Sequence, residues 1–455
     1  MTQSNLTFTE GHEIPEGCKN TELGIFPEPW KLMTIQEALD TKYLLDQMDG
    51  NHGELYPRSN EFSQSGIAYI GATDFSDNKV DFKNCKFLPL IRAKKFRKGI
   101  AKSGDVLFAH NATVGPAALL KTDDEFVILS TTATYYRCND KHLSNQYLLS
   151  FFESNAFKQQ YTAVMSQSTR NQVSILAQRK FKLVLPSREE QEKIATALSD
   201  TDALISELEK LIEKKQAIKT ATMQQLLTGK TRLPEFALRE DGMPKGYKES
   251  ELGQIPEDWD VYKVGEISDV LTGFPFPSSH YTDSGVRLLR GSNVKRGVTD
   301  WSEDITQYWP IISSDIKKYE LKVGDIVISM DGSLVGRSFA QLDKSDLPAV
   351  LLQRVARVRS SDVDQNYLKQ WICSEMFTAH CDAVKTVTAI PHISPDDIKT
   401  FRFVAPKCKK EQKQLSGILK DMEVEIQILN EKLTKLIMFK KGMMQELLTG
   451  KTRLV

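Results

Sequence analysis

No charge sign dominates this sequence: Lys and Arg together number 60, and so do Asp and Glu, over 455 residues. The global balance therefore offers nothing to a polyanion, and any nucleic-acid contact must be made by local patches. Long apolar runs are absent, the best being stretches such as YLLSFF and VGDIVIS, far short of the ~18 residues that span a bilayer, so no membrane role is expected. The six cysteines (Cys18, Cys85, Cys138, Cys373, Cys381, Cys408) contain no CxxC pair, and the polar start MTQSNLTFTEGHE has no signal-peptide character, which predicts a reducing cytoplasm. Gly and Pro stay near average usage, excluding collagen-like or largely disordered chains.

Catalytic motifs are missing too. There is no Asn-Pro-Pro-aromatic tetrapeptide, Gly-rich cofactor loop, HExxH or nucleophile elbow. The histidines, His110 and His392 among them, have no partner at ligand spacing, so no metal is expected. PDDIK at Pro395 reads as a helix-start turn. The tempting element is TGKT, present at Thr228–Thr231 and Thr449–Thr452. A phosphate loop needs a glycine where Gln224 and Gln445 stand, and both copies follow long helical patterns. Gly229 and Gly450 are therefore expected as left-handed helix caps.

What the chain does contain is a repeat. IPEGCKNTELGIFPEPW from Ile14 returns as MPKGYKESELGQIPEDW from Met243, and the segment from Glu189 to Leu233 ending LLTGKTRL returns as Lys410 to Leu454. The middles diverge, although Gly104 aligns with Gly324 and Gly115 with Gly336. Between residues 188–227 and 409–448, apolar positions recur at three- and four-residue steps without proline, predicting two coiled-coil helices roughly 60 Å long. The seam residues are Ile194, Leu198, Ile205, Leu208, Leu211, Ile218 and Leu226 in the first, with Thr201, Lys215 and Thr222 in the same rhythm. In the second they are Leu415, Leu419, Met422, Ile426, Leu429, Leu433 and Leu436.

The centres, 31–187 and 260–408, alternate short β-rich stretches with Gly, Asn and Asp turns and helices around Asn145–Tyr161 and Gln365–Val384, which predicts α+β domains with a curved, mostly antiparallel sheet. The chain thus divides into an N-terminal segment with the first such domain (1–187), the first long helix (188–233), a linker and repeat start (234–259), the second domain (260–408) and the second helix (409–455).

Charge is patched within these centres. From Lys79 to Lys102 nine cations, among them Lys83, Lys94, Lys95, Arg97 and Lys98, face the single acid Asp81, a one-sided run suited to phosphates. The second centre offers Arg287, Arg290, Lys295 and Arg296 around Ser292 and Asn293, then Arg337, Arg354, Arg357 and Arg359. Base-edge readers are expected in polar turns, the richest being Ser166 to Gln172, with Ser168, Thr169, Arg170, Asn171 and Gln172, and its counterpart Thr386 to His392.

Two variable centres, each introduced by an LGxxPExW signature (Leu23, Gly24, Pro27, Glu28, Trp30; Leu252, Gly253, Pro256, Glu257, Trp259) and closed by a Glu-Gln-led helix ending LLTGKTRL, resemble the specificity subunit of a type I restriction-modification enzyme. The resemblance covers nearly the whole chain. It implies two target-recognition domains joined by two long antiparallel coiled-coil helices in a pseudo-two-fold repeat, each domain reading one half of a bipartite, asymmetric site on double-stranded DNA. It further implies a non-catalytic chain that binds no cofactor. Two methyltransferase subunits would methylate adenine with S-adenosylmethionine, and restriction subunits would use ATP and Mg. The competing expectation from the residues alone is a coiled-coil scaffold without a DNA-reading role.

Overall fold

The computed structural model describes residues 14–50, 56–167, 171–386 and 390–455. The chain packs as two units, Met1–Glu209 with Glu431–Val455, and Lys210–Asn430. Packing thus divides the molecule differently from the order along the chain, because each unit takes half of each long helix. Those helices run Arg188–Leu227 and Lys409–Leu447, close to the expected bounds. No helix among the described residues is long and apolar enough to cross a membrane.

In the first unit, strand Lys31–Thr34 pairs antiparallel with Lys182–Leu185, Lys31 opposite Leu185, so the chain enters and leaves the variable centre side by side. The centre holds two sheets where one was expected. One has the order Leu44–Asp49, Ala133–Cys138, Val106–Asn111, Thr113–Leu119, Lys79–Val80, Phe75–Ser76; the other has Lys86–Leu88, Ile67–Ile70, Val127–Leu129, Ile100–Ala101. All pairings are antiparallel except Thr113–Leu119 with Lys79–Val80 and Val127–Leu129 with Ile67–Ile70. The expected helix near residue 145 is two, Asn145–Phe152 and Asn155–Met165, because the Ser154 hydroxyl accepts the Phe157 amide and starts a new helix. Phe108, Phe151, Phe152 and Phe157 from these elements form a buried aromatic core, joined by Ile194 and Leu198 of the first long helix and Leu447 of the second. The two helix segments run antiparallel: Glu190 meets Arg453, and Asp202 meets Lys440.

The second unit repeats the plan. Strand Trp259–Lys263 pairs with Arg402–Pro406, a five-stranded sheet is built on Ile326–Ser329 and Val355–Ser360, and a three-stranded sheet on Val286–Leu289. Helices Gln365–Ile372 and Glu375–Val384 divide at Ser374 as their counterparts do at Ser154, and Leu226, Leu415 and Leu419 join the core around Trp259, Trp371 and Phe403. PDDIK is a capped turn of helix, with Ser394 and Asp397 forming a capping box.

The Glu-Gln pair opening each long helix fastens that helix to its unit. Gln191 accepts the Ser144 amide at 2.9 Å and donates to Pro186 O at 3.0 Å; Gln412 accepts the Asp364 amide and donates to Pro406 O, both at 2.7 Å. Glu190 and Glu411, each 1% exposed, receive Arg453 and Arg232 respectively. TGKT is the other half of this latch. Gly229 and Gly450 are helix caps at φ +70° and +71°, and a Cβ on Gly450 would lie 2.4 Å from the Pro27 ring and 3.1 Å from Trp30. Gly450→Ala combines a left-handed alanine, costing about 1–2 kcal/mol, with displacement of that ring. A loss of about 2 kcal/mol or more in a denaturant titration of the first unit is expected, and an alanine variant as stable as the parent would contradict the packing.

The seam departs from expectation at two places. Ile194, Leu198, Leu226, Leu415 and Leu419 are buried, and Ile205, Leu208, Met422, Ile426, Leu429, Leu433 and Leu436 half-buried. Leu211 and Ile218 are each 41% exposed, while Ile212 is 7% exposed. Lys215 and Lys219 pair with Glu425 and Glu423, at 2.6 and 2.8 Å. The seam here passes through Ile212, through Lys215, which already stands in the expected rhythm, and through Lys219, and the ammonium groups of both lysines reach across to the facing helix. Burial pushes the Glu423 carboxyl up, but Lys369 and Lys219 more than offset this and hold it below the ordinary carboxylate range.

Candidate nucleic-acid interface

Both centres carry the same buried ionic frame. Asp105 takes the Arg137 guanidinium at 2.9 and 2.7 Å and caps the Lys102 amide; Asp325 takes Arg359 at 2.6 and 2.7 Å and caps the Lys322 amide. Asp46 accepts Tyr135 Oη at 2.5 Å, and Asp269 pairs with Arg357 at the matching position. Arg357 and Arg359, counted among the basic residues of the second centre, are therefore frame: Arg357 is 3% exposed and Arg359 is tied to a buried carboxylate. His110 is likewise internal, its Nδ1 2.9 Å from Thr134 Oγ1.

The frame strands end at a polar tip, and there the units part. In the first, Asn111 bridges Gln172, the Asn111 Oδ1 accepts the Ala112 amide at 2.8 Å, and the Asn171 carbonyl accepts it at 3.1 Å. In the second, Asp331 bridges His392. Asp331 Oδ1 lies 2.5 Å from His392 Nδ1, and Oδ2 lies 2.7 Å from Arg354 Nη1. These groups border an open cavity of about 460 Å³ that also reaches Gly273, Gln353 and Ile390. The turn Arg290–Asn293 lies against the same strand end, since a Cβ on Gly291 would come within 2.9 Å of Ser329 Oγ.

The predicted contact residues sort by exposure. Lys83, Lys94, Lys95 and Arg97 are exposed and form no ion pair among the described residues, and Lys98 is exposed beside them in sequence. These side chains stand in the turns flanking strand Lys86–Leu88 and helix Leu90–Ala93. Arg92 is drawn inward to Glu61 at 2.6 Å. Asn171 is exposed and Gln172 half-buried; Ser168, Thr169 and Arg170 lie outside the described residues. Ser292, Lys295 and Arg296 are exposed, Lys295 facing Asp300 at 3.6 Å.

Three residues expected to contact DNA in the second centre are occupied internally. Asn293 is fully buried, its Oδ1 accepting the Arg290 amide at 3.1 Å and its Nδ2 donating to Asp300 O at 2.9 Å, so it shapes the turn instead of facing out of it. Arg290 donates to Ile305 O at 2.8 Å, and Arg337 is held by Asp382 at 3.1 and 2.7 Å. Two hydrogen bonds from Arg337, with a further one from Lys385, keep the Asp382 carboxyl well below the usual range. Asn293 closes its own turn, because a turn must satisfy its buried groups before it can face a partner, whereas Arg290 and Arg337 are drawn to acceptors farther along the chain. Arg354 was legible only as one of three clustered arginines; its exposure and its place at the tip on Asp331 separate it from Arg357 and Arg359, which are held by frame carboxylates.

Comparison with known proteins gives one consistent family. The model of the type I restriction modification DNA specificity domain matches residues 29–220 and 256–437. The MjaVIII type I restriction enzyme specificity subunit of Methanocaldococcus jannaschii is 31% identical over 338 residues, spanning 72% of this chain and 74% of its own. The putative MjaX specificity subunit of the same organism is 26% identical over 465 residues, spanning 96% and 97%. Among solved structures, a type I restriction-modification S subunit from M. genitalium aligns with a TM-score of 0.55 at 12% identity, over 92% of this chain and 96% of that one. A chain from a structure of type I R-M complex assembly and conformational transition gives 0.52 at 16%, over 94% and 99%. At these identities the structural likeness is one of fold.

Proposed function

The chain belongs to the type I restriction modification DNA specificity family, and from that premise we propose that each of its two units reads one half of a bipartite, asymmetric site on double-stranded DNA. Catalysis lies elsewhere in this reading. Two methyltransferase subunits carrying S-adenosylmethionine methylate adenine at the site, and restriction subunits using ATP and Mg act on unmodified DNA, all in the cytoplasm.

The observation that carries the reading is a repeated frame with unlike tips: Asp105–Arg137 returns as Asp325–Arg359, whereas Asn111 and Gln172 give way to Asp331 and His392. One scaffold bearing two sets of hydrogen-bonding groups is suited to two different base sequences. Exposed cations from Lys83 to Lys98 supply phosphate contacts that position the first unit without reading sequence. Protein partners are supported by exposed apolar side chains on the long helices: Leu204, Ile437, Met438 and Phe439 in the first unit, Val424 and Ile428 in the second. Such stripes suit covering by partner helices.

The test is co-expression with the partner methyltransferase followed by mapping of methylated adenines. A two-part motif that appears only when this chain is present is expected, together with no S-adenosylmethionine turnover by the purified chain alone. Methylation by the chain without a partner, or an unchanged motif in its absence, would overturn the proposal.

A further inference from the structure

The tip of the second unit holds a device that the first lacks. Arg354 sits at φ +70°, a left-handed conformation that is uncommon for a long side chain and that clusters at functional sites. Its carbonyl accepts the Met330 amide at 3.0 Å, which fixes this backbone in place. The side chain is 65% exposed and, among the described residues, makes one hydrogen bond, from Nη1 to Asp331 Oδ2 at 2.7 Å. Asp331, only 18% exposed, is braced on its other oxygen by His392 Nδ1. The remaining N–H donors of the planar guanidinium fork meet no acceptor among the described residues, and the Asp331 bond sets the direction of the fork.

The matching position in the first unit is Thr132, which turns inward. Its Oγ1 accepts the Ala72 amide at 2.9 Å and lies 2.7 Å from Ser130 Oγ. A residue needed only to complete the common frame would have the same part in both units, as Arg137 and Arg359 do.

We infer that Arg354 reads a guanine in the half-site of the second unit, and that Asp331 is its positioning residue. This rests on the DNA-reading function proposed above. Guanine presents two acceptors, N7 and O6, on one edge in the major groove, and a guanidinium fork spans both; adenine replaces O6 with an amine, a donor that faces the arginine unfavourably. A carboxylate on a DNA-facing tip is repelled by phosphate unless it is paired, and here both of its oxygens are engaged by cationic or N–H groups. Asp331 thus orients the fork without presenting a free negative charge.

Arg354→Gly separates reading from folding, because glycine adopts this backbone more readily than arginine does. The full chain is assembled with its partner methyltransferase, and methylated adenines are mapped in a pool of random double-stranded DNA. For the glycine variant the melting temperature is expected to equal or exceed the parent's and the half-site of the first unit to stay the same. One guanine position in the other half is expected to lose about 10- to 100-fold in preference. Asp331→Asn should relax the same position by a smaller factor. A glycine variant that keeps the guanine overturns the inference, and so does one that weakens all sequences alike, which marks a phosphate contact. A parent complex that yields no two-part motif would instead overturn the DNA-reading function itself, and this inference with it.

Discussion

Arg453→Ala is expected to destabilise the first unit by about 3–5 kcal/mol, the range for breaking a buried ion pair from one side. Glu190 is 1% exposed, and its carboxylate has two partners among the described residues: Arg453, through Nε at 2.5 Å and Nη2 at 2.8 Å, and the Trp30 indole, which donates at 3.0 Å. The guanidinium also stands 5.7 Å from the Trp30 ring centre. Without the arginine, a carboxylate remains buried against an indole N–H that cannot neutralise it. Adding Glu190→Gln to the variant should restore part of the loss, since a neutral amide is far less costly to bury. The second unit carries the matching latch: Arg232 bonds Glu411 at 2.9 and 3.1 Å and Asp258 at 2.8 and 3.1 Å. Urea titration followed by far-ultraviolet circular dichroism measures the effect, and a loss below about 1 kcal/mol would place this pair with ordinary surface salt bridges.

Exchange of residues 31–187 for another recognition domain is expected to replace one half of the methylated motif completely and leave the other half untouched. The strands Lys31–Thr34 and Lys182–Leu185 lie side by side in register, so both ends of the inserted segment meet at one place. The latch residues Pro27, Trp30, Glu190 and Arg453 all lie outside the exchanged segment and stay as they are. Each wrong base pair in a recognised site costs about 1–3 kcal/mol, roughly additively, so a half-site of even a few base pairs separates old and new motifs by orders of magnitude. Mapping methylated adenines before and after exchange decides it. If both halves change together, the units do not read independently.

Much of this was visible in the sequence because it is local or repeated. The two long helices follow from periodicity without proline, and their bounds agree with expectation to within a residue. The caps at Gly229 and Gly450 follow from a helix ending before glycine, and the rejection of TGKT as a phosphate loop follows from glutamine where glycine is required. The doubled boundary signatures carry the two-part plan in the sequence itself.

Tertiary structure decided what depends on partners far apart in the chain. Glu190 meets Arg453 across 263 residues, so the first unit is completed by the end of the chain and not by its own helix alone. Ser292 and Asn293 stand in one polar turn, yet one is exposed and the other buried, because a turn must satisfy its own amides before any side chain faces outward. Arg354, Arg357 and Arg359 read alike as charge. In the fold, Arg357 reaches Asp269 and Arg359 reaches Asp325, while Arg354 remains at the tip on Asp331. Composition and spacing determine which groups are present and how the backbone runs locally. Which of those groups are consumed inside the protein, and which are left open for a partner, is set by long-range pairing in three dimensions.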